Sequence, residues 1–123
     1  MIIEELKSKG ITDLEKVTDY LSRNNNSFFY LPDNLSKLVA SLAQKNKPKN
    51  CINLNSNLGE ILSNCGEIKT IIGIDINSQN VELANYLNPK LQFKNLDPLS
   101  YTSEINFDSV ICSNLFGRRT YQG

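Results

Sequence analysis

Apolar residues recur along this chain in two rhythms, and the change between them divides it. Ile2, Ile3, Leu6, Ile11, Leu14, Val17 and Leu21 fall at helical spacing and are interrupted at Gly10. They predict a short helix, a turn and a second helix over about 13–22, capped by Thr12 or Asp13. Arg23, three asparagines and Ser27 form a polar linker. Pro32 and Asp33 then open a helix whose predicted inward face is Leu35, Leu38, Val39 and Leu42.

From Cys51 the rhythm shortens. Cys51, Ile52 and Leu54 mark a brief strand, and Leu58 to Leu62 a short helix. Residues 70–74, ending at Asp75, are a β-branched run that reads as a second strand. Ser78 is the expected cap of a helix through Leu87 with Val81, Leu83, Ala84 and Leu87 inward, and Asn88 and Pro89 stop it. Leu91 to Phe93 and Phe107 to Cys112 supply strands three and four. Alternation of this kind predicts parallel βαβ units in an α/β fold. The organisation expected is a helical segment over 1–24 and a sheet domain over 28–123.

Composition narrows the chemistry. With no histidine, the commonest general base and nearly all zinc catalysis are excluded, and hydrolase readings become poor. Thirteen basic residues balance 13 acidic ones, so no net positive field draws nucleic acid to the chain, and any DNA contact must be local or made by other regions. Cys51, Cys65 and Cys112 lack C-x-x-C spacing and lie in or beside apolar runs, which predicts reduced, buried thiols and a cytoplasmic protein. No apolar run is long enough for a signal peptide or membrane span, and no metal site is expected.

Ligands of open parallel sheets gather beyond the carboxyl ends of the strands. Four stretches fall there: 53–59, Asp75, 95–99 and 113–117. The first either offers backbone N–H groups to a ligand or is a connecting loop with Asn55 or Ser56 as a cap. Asp75 stands where a carboxylate can accept from both ribose hydroxyls, or where it begins the following turn. Asp97, before Pro98, either accepts from an exocyclic amine or shapes a turn. Ser113, Asn114 and Phe116 combine amide and aromatic groups that suit a planar base, or form a loop with Phe116 in the core.

Taken in order over about 28–123, these pieces resemble the amino-methyltransferases that modify adenine in DNA, especially the modification subunits of type I restriction systems. Phe29-Tyr30-Leu31-Pro32 looks like the F-x-T-P segment that covers the cofactor, and 52–62 like the D-P-x-C-G-S-G-x-x-L turn. Ile72-Gly73-Ile74-Asp75-Ile76 resembles the strand bearing the ribose-binding acid, and Asp97-Pro98-Leu99 the D-x-L that holds the adenine amine. Residues 107–117 are similar to the catalytic loop F-D-x-V-x-x-N-P-P-F-G. The resemblance implies a Rossmann-like class I methyltransferase fold, strand order 3-2-1-4, truncated after the fourth strand. It implies S-adenosylmethionine at Tyr30, Pro32, Asn53, Asn55, Gly59, Asp75, Ile76, Asp97 and Leu99, with Ser113, Asn114 and Phe116 at the target base.

The functional turns depart from the family. Asn53 replaces an aspartate, Asn57 replaces the first loop glycine, and Gly59 keeps the second. Ser113 stands where Asn or Asp belongs, and Asn114 and Leu115 where two prolines belong. These losses predict that the chain is inactive by itself. Two expectations follow: part of an adenine-specific DNA methyltransferase that meets DNA through other regions, or a degenerate, non-catalytic assembly module. A bare fourth strand, apolar on both faces, is expected to be covered either by the rest of the domain or by another chain, and the assembly reading expects a homodimer paired through it.

Overall fold

The computed structural model describes residues 2–24, 31–103 and 105–112. Four parallel strands form one sheet in the order β3-β2-β1-β4: β1 (Asn50–Asn53), β2 (Thr70–Asp75), β3 (Gln92–Asn95) and β4 (Ser109–Ile111). The Rossmann-like order expected from the sequence is the one observed. Register aligns Asn53 with Gly73 and Ile111, and Asp75 with Asn95, so the carboxyl ends share one edge. At the opposite edge the Asp108 carboxylate accepts from the Lys49 and Asn50 N–H groups at 3.0 and 2.8 Å, which holds its pKa below the usual range.

Alternation along the strands gives the sheet two apolar faces. Cys51, Phe93 and Ile111 join Ala40, Ile61, Leu62, Cys65, Val81 and Ala84 on one side, under α3 (Asp33–Gln44) and α4 (Ser78–Leu87). Ile52, Ile72 and Ile74 form the other face, packed against Leu54, Tyr101 and Phe107. Among the described residues no helix connects β3 to β4, and aromatic side chains of that connection do the covering.

Two N-terminal helices, α1 (Ile2–Ser8) and α2 (Leu14–Asn24), bring Leu6, Val17 and Leu21 together with Leu58 and Leu83. The Tyr86 hydroxyl donates to the Ile11 carbonyl at 2.6 Å, tying the turn between these helices to α4. Asp13 accepts from the Lys16 N–H and so caps α2. No helix among the described residues is long and apolar enough to cross a membrane.

Four local expectations are corrected. The sheet-facing residues of α3 are Ser36 and Ala40, with Val39 and Ala43 half-buried, while Leu35, Leu38 and Leu42 are exposed. Small side chains let the helix lie close to the sheet, and its row of leucines points away. Asn77, not Ser78, caps α4, its side chain accepting from the Asn80 N–H at 3.0 Å. The helix expected from Leu58 shrinks to a 3-10 turn at Leu62–Asn64, because Asn57 and Gly59 take left-handed backbone angles of 49° and 83°. Cys112 is exposed, whereas Cys51 and Cys65 are buried; burial raises the Cys51 thiol pKa and pushes that of Cys65 up to about 11.

Candidate functional site

The carboxyl edge is built by three strand ends and the turn after β1. Asp75 closes β2 and is only 5% exposed. Its Oδ2 accepts from the Asn57 N–H at 2.8 Å and its Oδ1 from the Asn77 N–H at 2.9 Å. Each carboxylate oxygen keeps one further acceptor site, the requirement for a vicinal diol. The residue that follows, Ile76, is 69% exposed. Beyond β3, Asp97 Oδ1 accepts from the Leu99 N–H at 2.9 Å in a turn that leaves the Leu99 side chain 95% exposed. Asp97 is therefore a turn former, as one reading of the sequence held, and it is also a carboxylate beside an apolar surface. Two acids with Ile76 and Leu99 beside them at neighbouring strand ends suit the sugar and base of a nucleoside.

The turn after β1 has a different character. Asn53 is fully buried; its Oδ1 accepts from the Asn55 N–H at 3.2 Å, which fixes the amide orientation and leaves Nδ2 a donor with no partner. Ser56 Oγ is likewise buried and without a partner. Neither Asn55 nor Ser56 caps a helix. Asn57 holds its left-handed angle, which asparagine tolerates better than most residues.

Gly59 is kept for packing. A Cβ there would lie 2.6 Å from Asn88 Nδ2 and 2.7 Å from Phe93 Cζ, so this glycine brings the turn against β3 and α4. Gly73 does the same inside β2, where a Cβ would meet Phe93 Cδ1 at 2.6 Å and Ser56 Cβ at 2.8 Å.

Glu60, which the sequence reading passed over, holds this turn. It is buried, with Oε2 accepting from the Leu31 N–H at 2.9 Å and Oε1 from the Leu58 N–H at 3.0 Å. Burial raises its pKa against these two hydrogen bonds, with a smaller push from Asp75. A lone acid inside the run Leu58, Ile61, Leu62 was the signal available in the sequence. Through Leu31, Glu60 brings the start of α3, with exposed Pro32, to the ligand turn. Tyr30, Ser113, Asn114 and Phe116 lie outside the described residues.

The sheet order and the carboxyl-edge geometry together define a Rossmann-like α/β fold. No protein-family model and no curated protein matches the chain. Solved structures do share its fold. The amino pentose methyltransferase CalS10 from Micromonospora echinaspora, solved with S-adenosylmethionine bound, aligns with a TM-score of 0.61 over 78% of this chain and 41% of its own, at 15% identity. The plantazolicin methyltransferase BpumL, in complex with S-adenosylhomocysteine, aligns with a TM-score of 0.54 over 80% of this chain and 40% of its own, at 20% identity. The sugar N-methyltransferase KedS8 from a Streptoalloteichus species gives 0.55 over 77% and 38%, at 14% identity. The chain thus spans about two-fifths of the length of these structures.

Set against S-adenosylmethionine, the donor set divides in two. The nucleoside end fits: Asp75 retains acceptor capacity, and Asp97 lies with Ile76 and Leu99 at the adjoining strand ends. At the β1 end the Asn53 side chain is fully buried and its unpartnered atom is a donor, so it supplies no carboxylate for an ammonium group.

Proposed function

We propose that this chain is a methyltransferase-fold domain that grips S-adenosylmethionine by its adenosine end, within the lineage of enzymes that methylate amines. The observation that carries this reading is the pair Asp75 and Asp97 at adjoining strand ends, with the apolar Ile76 and Leu99 exposed beside them. Asp75 receives the ribose hydroxyls, Asp97 the exocyclic amine, and Ile76 and Leu99 flank the base. The sequence motifs favour the adenine amine of DNA as acceptor, while CalS10 and KedS8 are named for amino-sugar and sugar N-methylation. Ser113, Asn114 and Phe116 are the residues proposed at the acceptor, and the departures at Ser113, Asn114 and Leu115 from the loop they resemble favour a chain with no turnover of its own.

The test is titration of the labelled protein with S-adenosylhomocysteine. Amide shifts should move at Asn57, Ile76 and Leu99, and Asp97→Ala should weaken binding about tenfold, the loss of one hydrogen bond to a charged group. No shift at millimolar ligand overturns the reading.

A second reading, assembly through the fourth strand, rests on its own observation. Val110 of the edge strand is 57% exposed, and a groove of about 400 Å³ runs between it and Leu42 and Ala43 of α3. In this reading two copies pair through β4. Light scattering should then report a dimer that Val110→Lys converts to a monomer; a wild-type monomer at high micromolar concentration removes this reading.

A further inference from the structure

The chain is neutral as a whole, but the fold sorts its charges. Lys49 and Lys69 immediately precede β1 and β2, Lys90 lies in the turn that enters β3, and Lys45 and Lys47 occupy the turn from α3 into β1. Parallel register puts these strand starts at one edge of the sheet, opposite the edge that carries Asp75 and Asp97. The Thr70 N–H donates to the Lys49 carbonyl at 3.0 Å, so Lys49 and Lys69 enter neighbouring strands side by side, about 4.8 Å apart at the backbone.

All five lysines are exposed. The carboxylates described at this edge are Glu67 and Asp108, and Asp108 is occupied by the Lys49 and Asn50 N–H groups. Ion pairs of the described lysines lie within helices, Lys16 with Asp13 and Lys37 with Asp33, and leave the edge lysines to solvent. Lys47 holds a backbone angle of 51°, where glycine or asparagine is the usual occupant, so a charge stands at the tip of the turn at some conformational cost.

A row of ammonium groups on flexible stems suits a partner with regularly repeated negative charge, and a phosphodiester backbone supplies it. The acids of the opposite edge would repel the same polymer, which fixes the side on which it docks. Phe107, the aromatic nearest these strand starts, is packed against the sheet face with Ile52, Ile72 and Ile74 and offers no platform for an unstacked base. The surface therefore matches a duplex better than a single strand.

We infer that the amino edge of the sheet is a docking surface for the phosphate backbone of a nucleic-acid duplex, bound without regard to base sequence. It lies across the sheet from the nucleoside site and does not depend on it. A duplex held there is anchored to the domain while the ligand edge stays open.

Fluorescence anisotropy of the full chain with a short labelled DNA duplex tests this. The dissociation constant should weaken about thirtyfold between about 50 and 150 mM salt, the log–log slope near −3 that about three neutralised phosphates produce. Replacing Lys49→Gln and Lys69→Gln together should weaken binding at least about tenfold at the lower salt and flatten the slope to about −1. The pair Lys37→Gln and Lys94→Gln removes the same charge from other exposed positions and should change binding less than about threefold. Duplex RNA in place of DNA shows which duplex is the partner, and either one bound with these dependences supports the inference. Equal losses in the two double variants, no binding to either duplex at about 50 mM salt, or tighter binding to polyglutamate than to duplex overturns it, the last in favour of an acidic protein partner.

Discussion

Replacing Gly59 by alanine is expected to lower the free energy of unfolding by about 3 kcal/mol, a large share of what a domain of this size possesses. Two causes combine. At φ 83° an L-residue is strained by about 1 kcal/mol, and the new Cβ would press on Phe93 and Asn88, an overpacking worth about 2 kcal/mol. Phe93 is buried in the core and Asn88 donates to the Leu58 and Ala84 carbonyls, so neither yields freely. Urea denaturation should show a lower midpoint with an unchanged slope. Asn57→Gly is the matched control: it keeps the N–H to Asp75 and suits the left-handed angle, so its effect should stay below about 0.5 kcal/mol. If Gly59→Ala is as mild as Asn57→Gly, the packing role assigned to Gly59 is wrong.

Glu60→Ala is the second large effect, expected near 3 kcal/mol. It removes the acceptor of the Leu31 and Leu58 N–H groups at a buried site and leaves a cavity behind. Glu60→Gln keeps one acceptor and should lose about half as much. The pH dependence has a definite sign. A carboxyl whose folded pKa is raised above its ordinary 4.5 holds its proton longer in the native state than in the unfolded chain. Its contribution is complete below 4.5 and is lost as pH rises through the raised folded value. Wild-type stability should therefore carry a downward component above pH 4.5 that is absent in Glu60→Gln, measured by urea titrations across that range. Parallel curves for the two proteins would show that Glu60 is not the group responsible.

Much of the framework was legible before any coordinates. The β-branched run before Asp75 reads directly as a buried parallel strand, because β-branched side chains favour the extended backbone and a strand covered on both faces has no polar alternation. The order of the four strands followed from the resemblance of the motifs. Residues whose role depends on distant partners were not legible. Periodicity placed Leu35, Leu38 and Leu42 inward, since a one-dimensional pattern cannot show that the facing sheet leaves room only for Ser36 and Ala40. Glu60 resembled any surface acid until the fold brought Leu31 to it across 29 positions.

The same division holds at the ligand edge. Local chemistry alone determined that strand ends would carry Asp75 and Asp97, that the first turn would keep one of the two glycines of the motif it resembles, and that no histidine chemistry is available, because each of these is a matter of which residue stands where. Tertiary structure decided what those residues have left to give. Gly59 serves Phe93 and Asn88, and the N–H groups of the Asn-rich turn close on Asp75, Glu60 and neighbouring strands. Hydrogen-bonding capacity is shared among residues distant in sequence, so only the folded arrangement reveals which donors and acceptors remain for a ligand.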